Sequence, residues 1–95
     1  MRKDFIRKYS YEQNDLFYLS PYCRVEIESD NLIVWQAVFD QSLQIKCEES
    51  VSRELINELS CGTTEEKIKK IMSNIMTEIE TETFIRECMR AGVIE

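Results

Sequence analysis

The side chains able to do chemistry are few and scattered. The chain has no histidine, which removes the commonest general base and the commonest nitrogen ligand of zinc. Its four cysteines, Cys23, Cys47, Cys61 and Cys88, stand 24, 14 and 27 residues apart with no C-x-x-C pair, so a zinc site has no local support. Carboxylate pairs occur at Glu26/Glu28 and Glu48/Glu49, but 18 acids in 95 residues produce such pairs by chance. Gly62 and Gly92 are the only glycines, too few for a phosphate-cradling loop. No Ser-His-Asp or Cys-His arrangement can be assembled. Lys67, Lys69 and Lys70 make the one basic cluster outside the N-terminus, and on an acidic chain it reads as a solvated helix face. These residues predict a protein without enzymatic activity, cofactor or metal.

What must then be positioned is a binding surface. Ninety-five residues make one domain, and with 43% hydrophobic residues a modest core can form. The formal net charge of −6 disfavours nucleic acid as a partner, since phosphate contacts supply most of such binding. The charge is unevenly spread: residues 1–10 balance to +3 and residues 11–95 to −9. Six of the nine aromatic residues, Phe5, Tyr9, Tyr11, Phe17, Tyr18 and Tyr22, lie in the first 22 positions. A disordered tail is poor in aromatics. An arm over residues 1–20 is therefore expected to pack in part on the domain or a partner, with a short helix over residues 5–9. Pro21 closes it, and residues 21–95 form the domain proper.

No signal-like stretch opens the chain, so the cysteines read as reduced thiols in a cytoplasmic protein, mostly packed as small buried hydrophobes. Their spacing is also compatible with two disulfides in a secreted domain. The longest apolar stretch, residues 32–37, is far short of the roughly 20 residues of a membrane span. No membrane partner is expected.

Periodicity sets the elements. Cys23-Arg24-Val25-Glu26-Ile27-Glu28 alternates apolar and polar, as a half-buried strand does. Ser29-Asp30-Asn31 supplies turn chemistry, with Asp and Asn tolerant of a left-handed backbone. Residues 32–39 are apolar on both faces and read as a central strand, Asp40-Gln41 as a second turn, and Ser42-Leu43-Gln44-Ile45-Lys46-Cys47 as a third, alternating strand. The period then becomes helical. Ser50 is placed to cap a helix bearing Val51, Leu55, Ile56 and Leu59 that ends near Cys61-Gly62. Thr63-Thr64-Glu65-Glu66 reads as a capping box opening a second helix, along which Ile68, Ile71, Met72, Ile75, Met76 and Ile79 recur until the polar residues 78–83 break the run. A last helix presents Phe84, Ile85, Cys88 and Met89 before Gly92. The predicted fold class is α+β: a three-stranded antiparallel meander followed by three helices, winged helix-turn-helix-like.

Both outer strands of a meander have one unpaired edge. The third is lightly defended, with Lys46 its one outward charge and no proline. Such an edge takes an extended peptide by strand addition, unless the aromatic arm or a second copy covers it.

From about Leu19 to Glu95 the chain resembles the PqqD-like recognition elements of ribosomally made, post-translationally modified peptide (RiPP) pathways. The matching features are the strand and turn CRVEIESDN, two further strands ending in LQIKCEES, the helix and threonine-glutamate entry SVSRELINELSCGTTEEKI, and the closing FIRECMRAGVIE. Each motif is weak alone; order and spacing carry the match. The chain departs from the family around Cys61-Gly62-Thr63 and in the acidic 77–83 connection. The resemblance implies a stand-alone, non-catalytic protein that binds the leader of a precursor peptide as an extra strand and presents it to a modifying enzyme in trans. It places the peptide on Ser42, Leu43, Gln44, Ile45, Lys46 and Cys47. The last helix walls the cleft with Phe84, Ile85, Cys88 and Met89, and Arg86 and Arg90 are available to acidic leader residues. Two rivals remain: a DNA-binding winged-helix regulator, which needs a basic recognition helix, and an assembly subunit that homodimerises through the strand edge.

Overall fold

A computed structural model describes residues 15–95. The helix expected over residues 5–9, and most of the arm, lie outside the described residues. Three strands, β1 (Cys23–Glu28), β2 (Asn31–Gln36) and β3 (Gln41–Lys46), form one antiparallel sheet in the order β1-β2-β3. Three helices follow, which we label α1 (Glu49–Cys61), α2 (Glu65–Ile71) and α3 (Glu78–Arg90). The chain is α+β, a meander and then three helices, as its periodicity requires.

The pleat decides which side chains meet the helices. Along β2, Leu32, Val34 and Gln36 are buried while Asn31, Ile33 and Trp35 are half-buried. With Val25, Ile27, Leu43 and Ile45 the first set meets the core. Ile33 and Trp35 sit on the opposite face, where the Arg24 guanidinium lies 5.2 Å from the Trp35 ring centroid. The two-sided burial expected of the central strand is thus only half realised.

The turns differ from expectation in instructive ways. In the β1–β2 hairpin Ser29, rather than Asp or Asn, takes the positive φ, at 48°. The second strand stops at Gln36, three residues short of the expected end, and residues 37–40 form the turn, with Asp40 at φ 52°. The cause is the Gln36 side chain. Its Oε1 accepts the N–H groups of Val38 at 2.6 Å and Phe39 at 3.2 Å, bending the chain before Val38 and Phe39 can pair. Gln41, expected in the turn, pairs with Gln36 instead.

Helix starts also move. Ser50 is not the cap of α1. Glu48 occupies that position without a side-chain cap, because the chain is already helical by Ser52, whose N–H donates to the Glu48 carbonyl. The expected box at Thr63 and Glu66 does not form either: Thr63 exchanges two backbone hydrogen bonds with Phe17, and Thr64 caps α2. α2 then ends at Ile71, and the residues expected to break the run begin α3, through a capping box between Thr77 and Glu80. Ile79, expected on the apolar stripe of α2, is accordingly 75% exposed.

Two chain segments outside the strands and helices complete the core, one of them the end of the aromatic arm. Phe17 is 2% exposed, and the segment after it is bonded on both sides: Leu19 N–H to Leu59 O, Ser20 N–H to Val93 O. Leu19 faces Ile94 in an antiparallel bridge. Val93 and Ile94, just past α3, are buried with it.

Candidate peptide-binding site

Among the described residues, β3 has β2 on one side and no strand on the other. The phase of its backbone groups follows from the register, which pairs Asn31 with Lys46 and Leu32 with Ile45. Cys47 N–H donates to Asp30 O at 2.8 Å, continuing that register by one residue. In an antiparallel ladder bonded pairs alternate, so Leu43 and Ile45 direct their N–H and C=O groups to β2. Those of Ser42, Gln44 and Lys46 therefore point to the open edge.

The edge borders a cleft. α1 packs on β1 and β2, and α3 packs on α2, but among the described residues no helix Cα comes within 8 Å of a Cα of β3. This cleft is a narrow apolar space between the sheet and the helices, lined by Leu43 and Ile45 from β3, Leu32 and Val34 from β2, Leu55 and Ile56 from α1, Ile68 from α2, and Phe84 and Ile85 from α3. Its empty core is narrow, about 20 Å³, roughly one water-sized sphere.

The predicted residues divide by burial. Ser42, Gln44 and Lys46 are exposed along the edge, and Leu43 and Ile45 are half-buried. Gln44 Nε2 reaches Asn31 Oδ1 at 3.4 Å across the outer sheet face. Cys47 lies instead in the core, its Sγ 2.8 Å from the Ser52 hydroxyl. Ile85 and Cys88 are buried and form the cleft's floor, while Phe84 is half-buried at its rim. Met89 and Arg90 fall outside the cleft, in a neighbouring depression. Arg86 and Arg90 are exposed, Arg90 lying 3.7 Å from Glu87. The floor residues Leu19, Leu55 and Ile94 were not among the predicted site residues; their helical or segment periodicity marks them only as core.

The electrostatics around the cleft are structural. Lys69 is not part of a solvated face: half-buried, it reaches Glu82 at 2.8 Å, Glu65 at 3.5 Å and Glu78 at 4.0 Å, tying α2 to α3. The hydrogen bond and charge of Lys69 hold the Glu82 carboxyl below the usual range, and the bond to Glu82 raises Lys69. On β1, a hydrogen bond and the charge of Glu26 push Glu28 up. The four cysteines are unpaired: Cys47 and Cys88 buried, Cys23 half-buried and Cys61 exposed. Burial is the main cause that raises the thiols of Cys23 and Cys88. Among the described residues no group of His, Cys, Asp or Glu could hold a metal ion, and no helix is long and apolar enough to cross a membrane.

No protein-family model matches this chain, and no curated protein or solved structure matches it.

Proposed function

We propose that this chain is a non-catalytic binding protein that takes an extended peptide as a fourth strand on β3. The observation supporting this reading is the edge at Ser42, Gln44 and Lys46, unpaired among the described residues, beside a narrow apolar cleft lined by Leu43, Ile45 and Phe84. Main-chain hydrogen bonds to the outward N–H and C=O groups would supply affinity. Alternate side chains of the peptide, entering between Leu43, Ile45 and Phe84, would supply selectivity.

The resemblance to PqqD-like elements supplies the biological setting: the peptide is the leader of a ribosomally made precursor, and the protein presents it in the cytoplasm to a modifying enzyme acting in trans. The charge of α3, with Glu78, Glu80, Glu82 and Glu87 against Arg86 and Arg90, gives the DNA-binding alternative no basic recognition helix. Isothermal titration with the leader of a precursor encoded beside this gene tests the reading. Saturable heat is expected from the native protein and none from Gln44→Pro. Binding that is indifferent to that substitution counts against strand addition.

A further inference from the structure

A broad depression of about 760 Å³ lies at the tip of the β2–β3 hairpin, the size range of small-molecule sites. Its walls are Tyr22, Val38 and Phe39 on one side and Met89 and Arg90, at the end of α3, on the other. Tyr22, Val38 and Phe39 are 62%, 60% and 57% exposed. Hairpin turns normally use Gly, Asn or Asp; this one displays a valine and a phenylalanine in the open.

The wall is also held in place. Gln36, 3% exposed, donates from Nε2 to the Gly92 carbonyl at 2.9 Å while its Oε1 accepts from Val38 and Phe39. One buried amide thus ties the hairpin tip to the chain beyond α3. Gly92, at φ +75°, lets the Phe39 ring lie where a Cβ would stand 2.6 Å from it. An exposed apolar pair fixed this way loses little freedom on binding, which favours affinity.

Position links the depression to the cleft. Gln41, the first residue of β3, borders the depression, and Ile94 lines both cavities. A strand added along β3 covers roughly 20 Å at about 3.3 Å per residue, and its end beside Gln41 reaches the border of the depression. Arg90 and Glu95 are its charged lining residues and are of opposite sign, so the surface selects for apolar bulk rather than charge.

We infer that this depression is a second subsite of the peptide site, receiving one or two bulky apolar side chains, aromatic or long aliphatic, from the peptide segment just beyond its pairing with β3. The inference rests on the strand-addition reading and names the chemistry that the bound segment must carry. Met89 suits the role, since its flexible thioether adapts to different side chains.

The test uses the full chain as bait for a display library of random 16-residue peptides. An enriched peptide is synthesised with a fluorophore and its affinity read by anisotropy. Enriched sequences should carry large apolar residues at one end of an alternating segment. Phe39→Ser should weaken binding roughly tenfold, as loss of one buried aromatic contact does. Trimming the apolar end from the peptide should cost the same and erase the difference between wild type and Phe39→Ser. Tyr22→Ser gives a second reading at an exposed position should Phe39→Ser disturb the turn. Binding that is lost with Gln44→Pro yet indifferent to Phe39→Ser and Tyr22→Ser overturns the subsite and leaves strand addition standing. Binding indifferent to all three, or no enriched peptide, overturns both. Self-association abolished by Phe39→Ser would assign the depression to a second copy and overturn the proposal.

Discussion

Proline walked along β3 separates the two sets of backbone groups that the register defines. At Gln44 the lost N–H is one that points to the open edge, so no sheet hydrogen bond disappears. The cost is the fixed φ and the long, exposed side-chain bond from Gln44 to Asn31, together about 1 kcal/mol or less, since edge strands tolerate proline there. At Ile45 the lost N–H belongs to the pair with Leu32. That change removes a ladder hydrogen bond, leaves the Leu32 carbonyl short of a partner beside a core of buried apolar residues, and deletes a half-buried side chain. The three losses sum to about 4 kcal/mol. A 95-residue domain has roughly 5–14 kcal/mol in all, so Ile45→Pro should stand near unfolding while Gln44→Pro stays folded. Urea titration followed by the fluorescence of Trp35, the only tryptophan, measures both. Equal midpoints, or a larger loss at Gln44, would refute the phase assigned to β3 and with it the open edge.

Other expectations follow from single buried groups. The Thr63 hydroxyl is buried without a hydrogen-bond partner, so Thr63→Val should stabilise the fold by about 1 kcal/mol in the same titration; destabilisation would mean the hydroxyl is satisfied. Native-state alkylation read by mass spectrometry should modify exposed Cys61 first and buried Cys47 and Cys88 last; early loss of Cys88 would contradict its burial. Because Lys69 depresses the Glu82 carboxyl, the stability it lends is present above the ordinary glutamate value of 4.5 and fades as pH falls through the lowered one. The melting-temperature gap between wild type and Glu82→Gln should therefore shrink below about pH 4.5; a gap constant with pH would show that the ion pair contributes nothing.

Much of this fold is written in local pattern. The alternation from Cys23 to Glu28 marks β1 at its observed bounds, and Gly62 marks the end of α1, where φ is 96°. The misplacements trace to partners far along the chain. Val38 and Phe39 look like strand residues, and only the buried Gln36, bonded to Gly92 56 residues away, turns them outward. Thr63 looks like a helix cap until Phe17 claims its backbone. The even run from Ile68 to Ile79 hides the stop at Ile71 because both helices bury the same kind of stripe, and the signal that divides them is the polar pair Thr77 and Glu80.

The candidate site was legible to a similar depth. Alternation alone puts Ser42, Gln44 and Lys46 on one face of β3, and the meander order leaves that strand at an edge. Periodicity in α3 assigns Phe84, Ile85, Cys88 and Met89 to one stripe but cannot rank them. Packing against α1 and the chain after α3 makes Ile85 and Cys88 a floor, leaves Phe84 at the rim and sends Met89 to the hairpin depression. The apolar turn at Val38 and Phe39 was the available sign of that second surface, read instead as the end of a strand.

The central claim is that an extended peptide pairs with the open edge of β3. Residue-resolved amide hydrogen exchange, with and without the leader of a precursor encoded beside this gene, tests it most directly. Protection should rise at Ser42, Gln44 and Lys46, while Leu43 and Ile45, already bonded to β2, change little. Saturating peptide that leaves those three amides exchanging as before would contradict the account.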